Sequence, residues 1–133
     1  MRNNRPLSPH LSIHKRVLTA TFSIFHRITG IGLSFGSILI SIWIALIALG
    51  EEYFLIFKQI SSSLFFILFL ILWTIGIFYH LFNGIRYLFW SFGYGLELKT
   101  VYNTSYAVMI LTALSTFFVW VVLSWCQIIH LHG

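Results

Sequence analysis

The sequence contains no aspartate and only three glutamates, Glu51, Glu52 and Glu97. All three flank long apolar runs rather than interrupt them. Paired-carboxylate hydrolysis is thereby excluded, and an acidic proton relay across a membrane has no members. Cysteine is almost absent too. Cys126 stands alone, which rules out an intrachain disulfide or a thiolate metal cluster and leaves it as a small apolar filler. The only prolines, Pro6 and Pro9, lie in the basic opening segment and keep it from forming the long amphipathic helix of a transit peptide. Charge is scarce throughout: 8% of the residues are charged and 59% hydrophobic, far too little charge to cover a water-soluble domain.

What is present follows from those gaps. Residues 28–50, 59–85 and 100–133 contain no Asp, Glu, Lys or Arg. Each run exceeds the roughly 20 helical residues that cross a hydrocarbon core, and each is far longer than a barrel strand. Because a backbone in lipid must satisfy its own hydrogen bonds, the expected fold is all-α: an integral membrane bundle of three transmembrane helices. They are placed at about 20–49, 61–89 and 103–125, in one anchor domain over 1–133. The segment 1–17 is expected to lie at the membrane surface. Residues 50–58 form the outer connection, and 92–99, with Gly93 and Gly95, the inner loop. Gly32 and Gly36 have the G-x-x-x-G spacing that lets helices approach closely. Trp120 and Trp125 fall near the outer end of the third span, where indoles favour the headgroup boundary.

The net charge of +5 is no nucleic-acid signal here. Arg2, Arg5, Lys15, Arg16 and Arg27 precede or begin the first apolar run, and Arg86 and Lys99 flank the inner loop. By the positive-inside rule the N-terminus faces the matrix or cytoplasm. Arg27 falls where a signal peptide would have its apolar core, so no cleavable signal is expected. The chain is then either made within its own compartment or numbered after processing.

Few polar groups enter the spans. Gly76, His80 and Gly84 recur at four-residue steps, so they share one helix face. An imidazole between two glycines gives a flat slot with a nitrogen ligand, against which a planar macrocycle such as haem can lie. A packing histidine bonded to a neighbouring helix is the plainer alternative, and spacing leaves both open. Ser23 and Arg27 share a face of the first span, with His26 bordering it. At 1.5 Å per residue, Arg27 and His80 both fall roughly 10–12 Å from the inner end of their helices, so the two clusters can face one cavity. Haem propionates suit an Arg and a His; a quinone carbonyl suits a hydroxyl and a guanidinium. Against these stand snorkelling for Arg27, a bond to its own helix for Ser23 and an interfacial position for His26. Low-spin haem often takes two axial ligands. If His26 serves a propionate, the second ligand comes from another subunit. His10, His14, His130 and His132 lie outside the spans, and nothing further supports a metal pair at His130 and His132.

Three stretches carry a family resemblance: RPLSP at 5–9 followed by His10, SIFHRITG at 23–30, and HLFNGIRYLFWSFGYG at 80–95. With the three-span plan, they resemble the cytochrome b subunit of succinate dehydrogenase, the larger membrane anchor of respiratory complex II, in its mitochondrial form. The third stretch is similar to the family signature H-x-x-x-G-I-R-[H]-x-x-x-D-x-G, and the likeness covers nearly the whole chain. It departs at Tyr87, where the family has histidine, and at Ser91, where it has aspartate. A propionate contact at 87 and a salt bridge at 91 are therefore in question.

The resemblance implies that His80 is an axial ligand of haem b, with the second axial histidine on a smaller anchor subunit. It implies that Ser23 and Arg27 line a ubiquinone pocket, that His26 and Arg27 lie near the haem propionates, and that Arg86 is the signature arginine. It further implies an enzyme subunit: succinate is oxidised on a flavoprotein partner, and an iron–sulfur partner docks on the inner face and passes electrons to ubiquinone. The implied location is the mitochondrial inner membrane, or a bacterial plasma membrane. Two rivals remain, a fumarate reductase anchor and a cofactor-free structural anchor. A standalone di-haem cytochrome fails, since two membrane histidines cannot supply four axial ligands.

Overall fold

The computed structural model describes residues 18–132, with side chains over 18–126. The expected surface segment 1–17, with RPLSP, His10 and His14, lies outside the described residues, as do the side chains of His130 and His132. Among the described residues four helices follow one another: α1 (Leu18–Leu49), α2 (Glu51–Ser61), α3 (Leu64–Ser91) and α4 (Leu98–His132). α1, α3 and α4 are long and apolar enough to cross a membrane. The expected all-α three-span bundle is therefore the fold, with no strand among the described residues. α3 is central, packing against α1 on one side and α4 on the other. The up–down–up order brings the start of α1, the end of α3 and the start of α4 to one end, which carries Arg27, Arg86 and Lys99.

Two boundaries differ from expectation. The connection at 50–58 is itself helical over most of its length. Gly50 precedes α2 with φ +123°, a conformation that favours glycine, and Glu51 and Glu52 then fill the first turn while Lys58 occupies the last. Those charges complement the helix dipole at both ends, a local signal masked by the stretch's brevity. α4 begins at Leu98 and continues to His132, beyond the span at 103–125, because polar and amphipathic residues at either end extend a helix into the headgroup zones without breaking it. α3 starts where Ser63 caps it, its hydroxyl accepting from the Phe66 N–H at 3.4 Å. It stops in a left-handed turn. Gly93 has φ +81°, its N–H donates to Trp90 O at 2.9 Å, and the Tyr94 N–H donates to Phe89 O at 3.1 Å, which is the glycine-terminated pattern that closes a helix C-terminus.

The packing is inverted relative to a soluble protein. Large apolar side chains such as Phe35, Phe65, Leu72 and Phe117 face outward, where lipid solvates them. The buried residues are largely small or polar: Gly36 on α1, Asn83 and Arg86 on α3, and Val101, Ser105, Val108, Thr112 and Thr116 along one stripe of α4. Small residues let helices approach where no hydrophobic effect drives them together. Hydroxyls within the bundle mostly return to their own helix, as Ser105 does to Val101 O and Thr112 to Val108 O, which satisfies them without water.

The two glycines of the G-x-x-x-G pair part company. A Cβ at Gly36 would collide with the indole of Trp73, whereas Gly32 faces open space. Only Gly36 serves the close approach. Cys126 is exposed rather than a filler within the chain.

Candidate functional site

α1 and α3 meet along residues 22, 26, 29, 30 and 36 of the first and 73, 76, 79, 80, 83, 84 and 87 of the second. His26 and His80 lie face to face at the middle of this seam, with ring centroids 3.9 Å apart and planes within 7°. The glycines make that contact. A Cβ on Gly30 would stand 3.1 Å from His80 Cε1, and one on Gly84 would stand 3.6 Å from His26 Cε1. Gly76 faces the Thr29 methyl. The Gly76–His80–Gly84 face therefore exists as expected, but α1 covers it. The flat group lying on it is the His26 imidazole, so it is no open slot within this chain.

The seam also orients His80. Its Nδ1 is 3.2 Å from the His26 carbonyl oxygen and 3.3 Å from Thr29 Oγ1. A carbonyl only accepts. The Thr29 hydroxyl hydrogen is directed to the carbonyls of Phe25 and His26, each at 2.9 Å, so its oxygen also accepts. Both neighbours therefore call for a proton on Nδ1. That tautomer leaves the lone pair on Nε2, the form in which a histidine binds a metal while a carbonyl holds its other nitrogen. The donor set thus fits one axial bond to haem iron.

His26 does not complete that set. Axial ligands on opposite sides of one iron aim their in-plane lone pairs at each other, whereas stacked rings aim theirs side by side. His26 Nδ1 is instead buried without a hydrogen-bond partner. Tyr87 meets the His26 ring edge-on at 5.0 Å and 88°, and its hydroxyl is likewise buried and unpartnered.

Ser23 and Arg27 follow the flank of this seam. Ser23 is half-buried, and its hydroxyl makes no bond to its own helix, in contrast to Ser34, Ser37 and Ser41. Arg27 is exposed and pairs with no described residue. The structure therefore brings His26, not Arg27, to His80, and leaves Arg27 exposed and Ser23 half-buried. A helix advances about 100° per residue, so neighbours 26 and 27 cannot share one contact.

Arg86 lies in a separate cluster. It is 5% exposed, with its guanidinium carbon 4.2 Å from the Trp90 ring centroid and 5.5 Å from that of Phe22. Nη1 donates to Asn83 Oδ1 at 3.1 Å and Nη2 to Val101 O at 3.5 Å. Asn83 is wholly buried. Ser91 is exposed and bonds back to Leu88 O at 2.7 Å. Asn83, Tyr79, Thr29 and Gly30 were not singled out in the sequence. A lone amide three residues before Arg86 in an uncharged run was the available signal for Asn83.

Residues 1–130 match the family model described as the succinate dehydrogenase/fumarate reductase transmembrane subunit. The chain is 39% identical over 119 residues to a succinate dehydrogenase cytochrome b556 subunit from Rickettsia felis, covering 90% of this chain and 93% of that protein. It is 40% identical over 130 residues to a cytochrome b560 subunit of the same enzyme from Reclinomonas americana, covering 92% and 88%. A Marchantia polymorpha b560 subunit is 40% identical over 122 residues, covering 85% of each.

Proposed function

The chain belongs to the succinate dehydrogenase/fumarate reductase transmembrane subunits, and from that membership we propose how its residues divide the work of the complex. It is a cytochrome b membrane subunit of succinate dehydrogenase, an anchor of complex II. Its relatives include mitochondrial and bacterial proteins, in keeping with the mitochondrial inner membrane or its bacterial counterpart.

His80 holds haem b through Nε2. The single observation that carries this reading is the pair of acceptors at Nδ1, 3.2 and 3.3 Å away, which fix the tautomer and the ring. Another ligand to the haem would come from the small anchor subunit, since His26 stacks on His80 instead of facing it. The exposed Arg27 guanidinium offers a donor to the propionates, whereas His26 Nδ1 is buried in the α1–α3 seam. When bound, haem supplies one-electron redox chemistry, while the protein supplies position and electrostatics.

Ser23 and Arg27 bind ubiquinone. The free Ser23 hydroxyl donates to one quinone oxygen. Arg27 donates to the same head group, and its charge stabilises the negative charge that develops there as electrons arrive. A guanidinium exposed near the end of a span reaches either the headgroups or such a polar partner. Because Arg27 is exposed on this chain's own surface, the pocket is completed by neighbouring subunits. Succinate oxidation belongs to the flavoprotein partner, and an iron–sulfur partner at the basic end delivers the electrons.

His80→Ala in the assembled complex tests the reading. The expected outcome is loss of the b-type signal from the reduced-minus-oxidised spectrum. A full signal would overturn the assignment.

A further inference from the structure

We infer that Tyr79, Asn83 and Arg86 act as positioning residues that fix the first turns of α1 against α3, and with them the geometry of Ser23, His26 and His80. The inference rests on the site reading given above. The Phe22 carbonyl accepts from two side chains of α3: the Tyr79 hydroxyl at 2.9 Å and Asn83 Nδ2 at 3.5 Å. Tyr79 and Asn83 are one helical turn apart, so they grip that oxygen from above and below. Phe22 immediately precedes Ser23 and lies one turn before His26.

Arg86 settles which way the Asn83 amide points. Its Nη1 can only donate, so the Asn83 oxygen faces Arg86 and the nitrogen faces Phe22. Arg86 is itself held by the Val101 carbonyl of α4 and by the faces of Trp90 and Phe22. One buried cluster thus joins all three spans near the basic end. No carboxylate takes part: carbonyls and ring faces hold the charge.

The remaining α1–α3 contacts explain why such a device is needed. Gly30, Gly76 and Gly84 allow close approach, but glycine surfaces are smooth and resist sliding or rotation poorly. Hydrogen bonds to a single carbonyl are directional and define both height and rotation. Trp73 against Gly36 pins the seam on the far side of the histidines. The His26–His80 pair therefore lies between two fixed points, one steric and one polar.

The test uses the assembled complex carrying Tyr79→Phe, which removes one oxygen, and Asn83→Leu, which keeps the bulk. The positioning role predicts normal assembly and normal succinate oxidation by an artificial dye. The quinone KM should rise roughly threefold to tenfold, the range one buried hydrogen bond supports, together with a shifted haem midpoint potential. If Asn83→Leu fails to assemble, Tyr79→Phe alone decides. A wild-type quinone KM and potential, or a loss confined to the yield of complex, overturns the inference. Ser23→Ala is measured alongside. A raised KM there but not in Tyr79→Phe removes the positioning role and keeps the site; no effect in either removes the site itself.

Discussion

His80 owes its orientation to a backbone carbonyl, a hydroxyl and a glycine on the facing helix. The Thr29 hydroxyl and the His26 carbonyl determine which nitrogen holds the proton, and Gly30 determines how close the ring can lie. A methyl at Gly30 would stand 3.1 Å from His80 Cε1, so the ring must shift by a few tenths of an ångström. Overpacking of this kind costs about 1–3 kcal/mol. Gly30→Ala is expected to lower the haem-to-protein ratio of the purified complex, whereas an unchanged ratio would show that the ring has room to move. The His80 face was legible in the sequence because an ionisable residue is rare in an apolar span and stands out there. The parts played by Thr29 and Gly30 were not, since nothing in a single sequence shows which residue of α1 will oppose position 80.

Between elements, the decisive quantity is the facing of each small residue. Gly32 and Gly36 are separated by one turn and look equivalent in sequence. A helix turns about 400° over four residues, and that extra 40° carries Gly36 under Trp73 while Gly32 remains at the surface. Gly36→Ala is expected to destabilise the assembled complex by about 1–3 kcal/mol, and Gly32→Ala to stay within about 0.5 kcal/mol. Thermal inactivation of the two variants checks this, and equal losses would contradict the packing described. The three spans themselves were evident from uncharged length alone. α2 was hidden because a helix of 11 residues between two spans leaves no hydropathy signature of its own.

As a whole, the molecule is one part of a larger assembly. Its own bundle buries little besides small and polar residues, and Arg27 of its candidate quinone pair is exposed. Among the described residues no second histidine is placed to share a metal with His80, because His26 stacks on its face. Expressed without the other subunits, the chain is therefore expected not to give the six-coordinate low-spin b-type spectrum that two axial ligands produce. Such a spectrum from the lone chain would place both ligands within it and refute the division of labour proposed here.

The sequence by itself determined that this chain crosses a membrane three times as helices, since uncharged runs of that length have no other way to satisfy their backbone in lipid. It also determined which polar groups enter the membrane, because those are few and each stands out against an apolar background. Tertiary structure decided how they are grouped. It paired His80 with His26 rather than Arg27, left Arg27 exposed, and buried Arg86 among Asn83, Trp90 and the Val101 carbonyl. Such groupings depend on the rotation of one helix against another, and that angle is set by contacts between residues more than 50 positions apart in the chain.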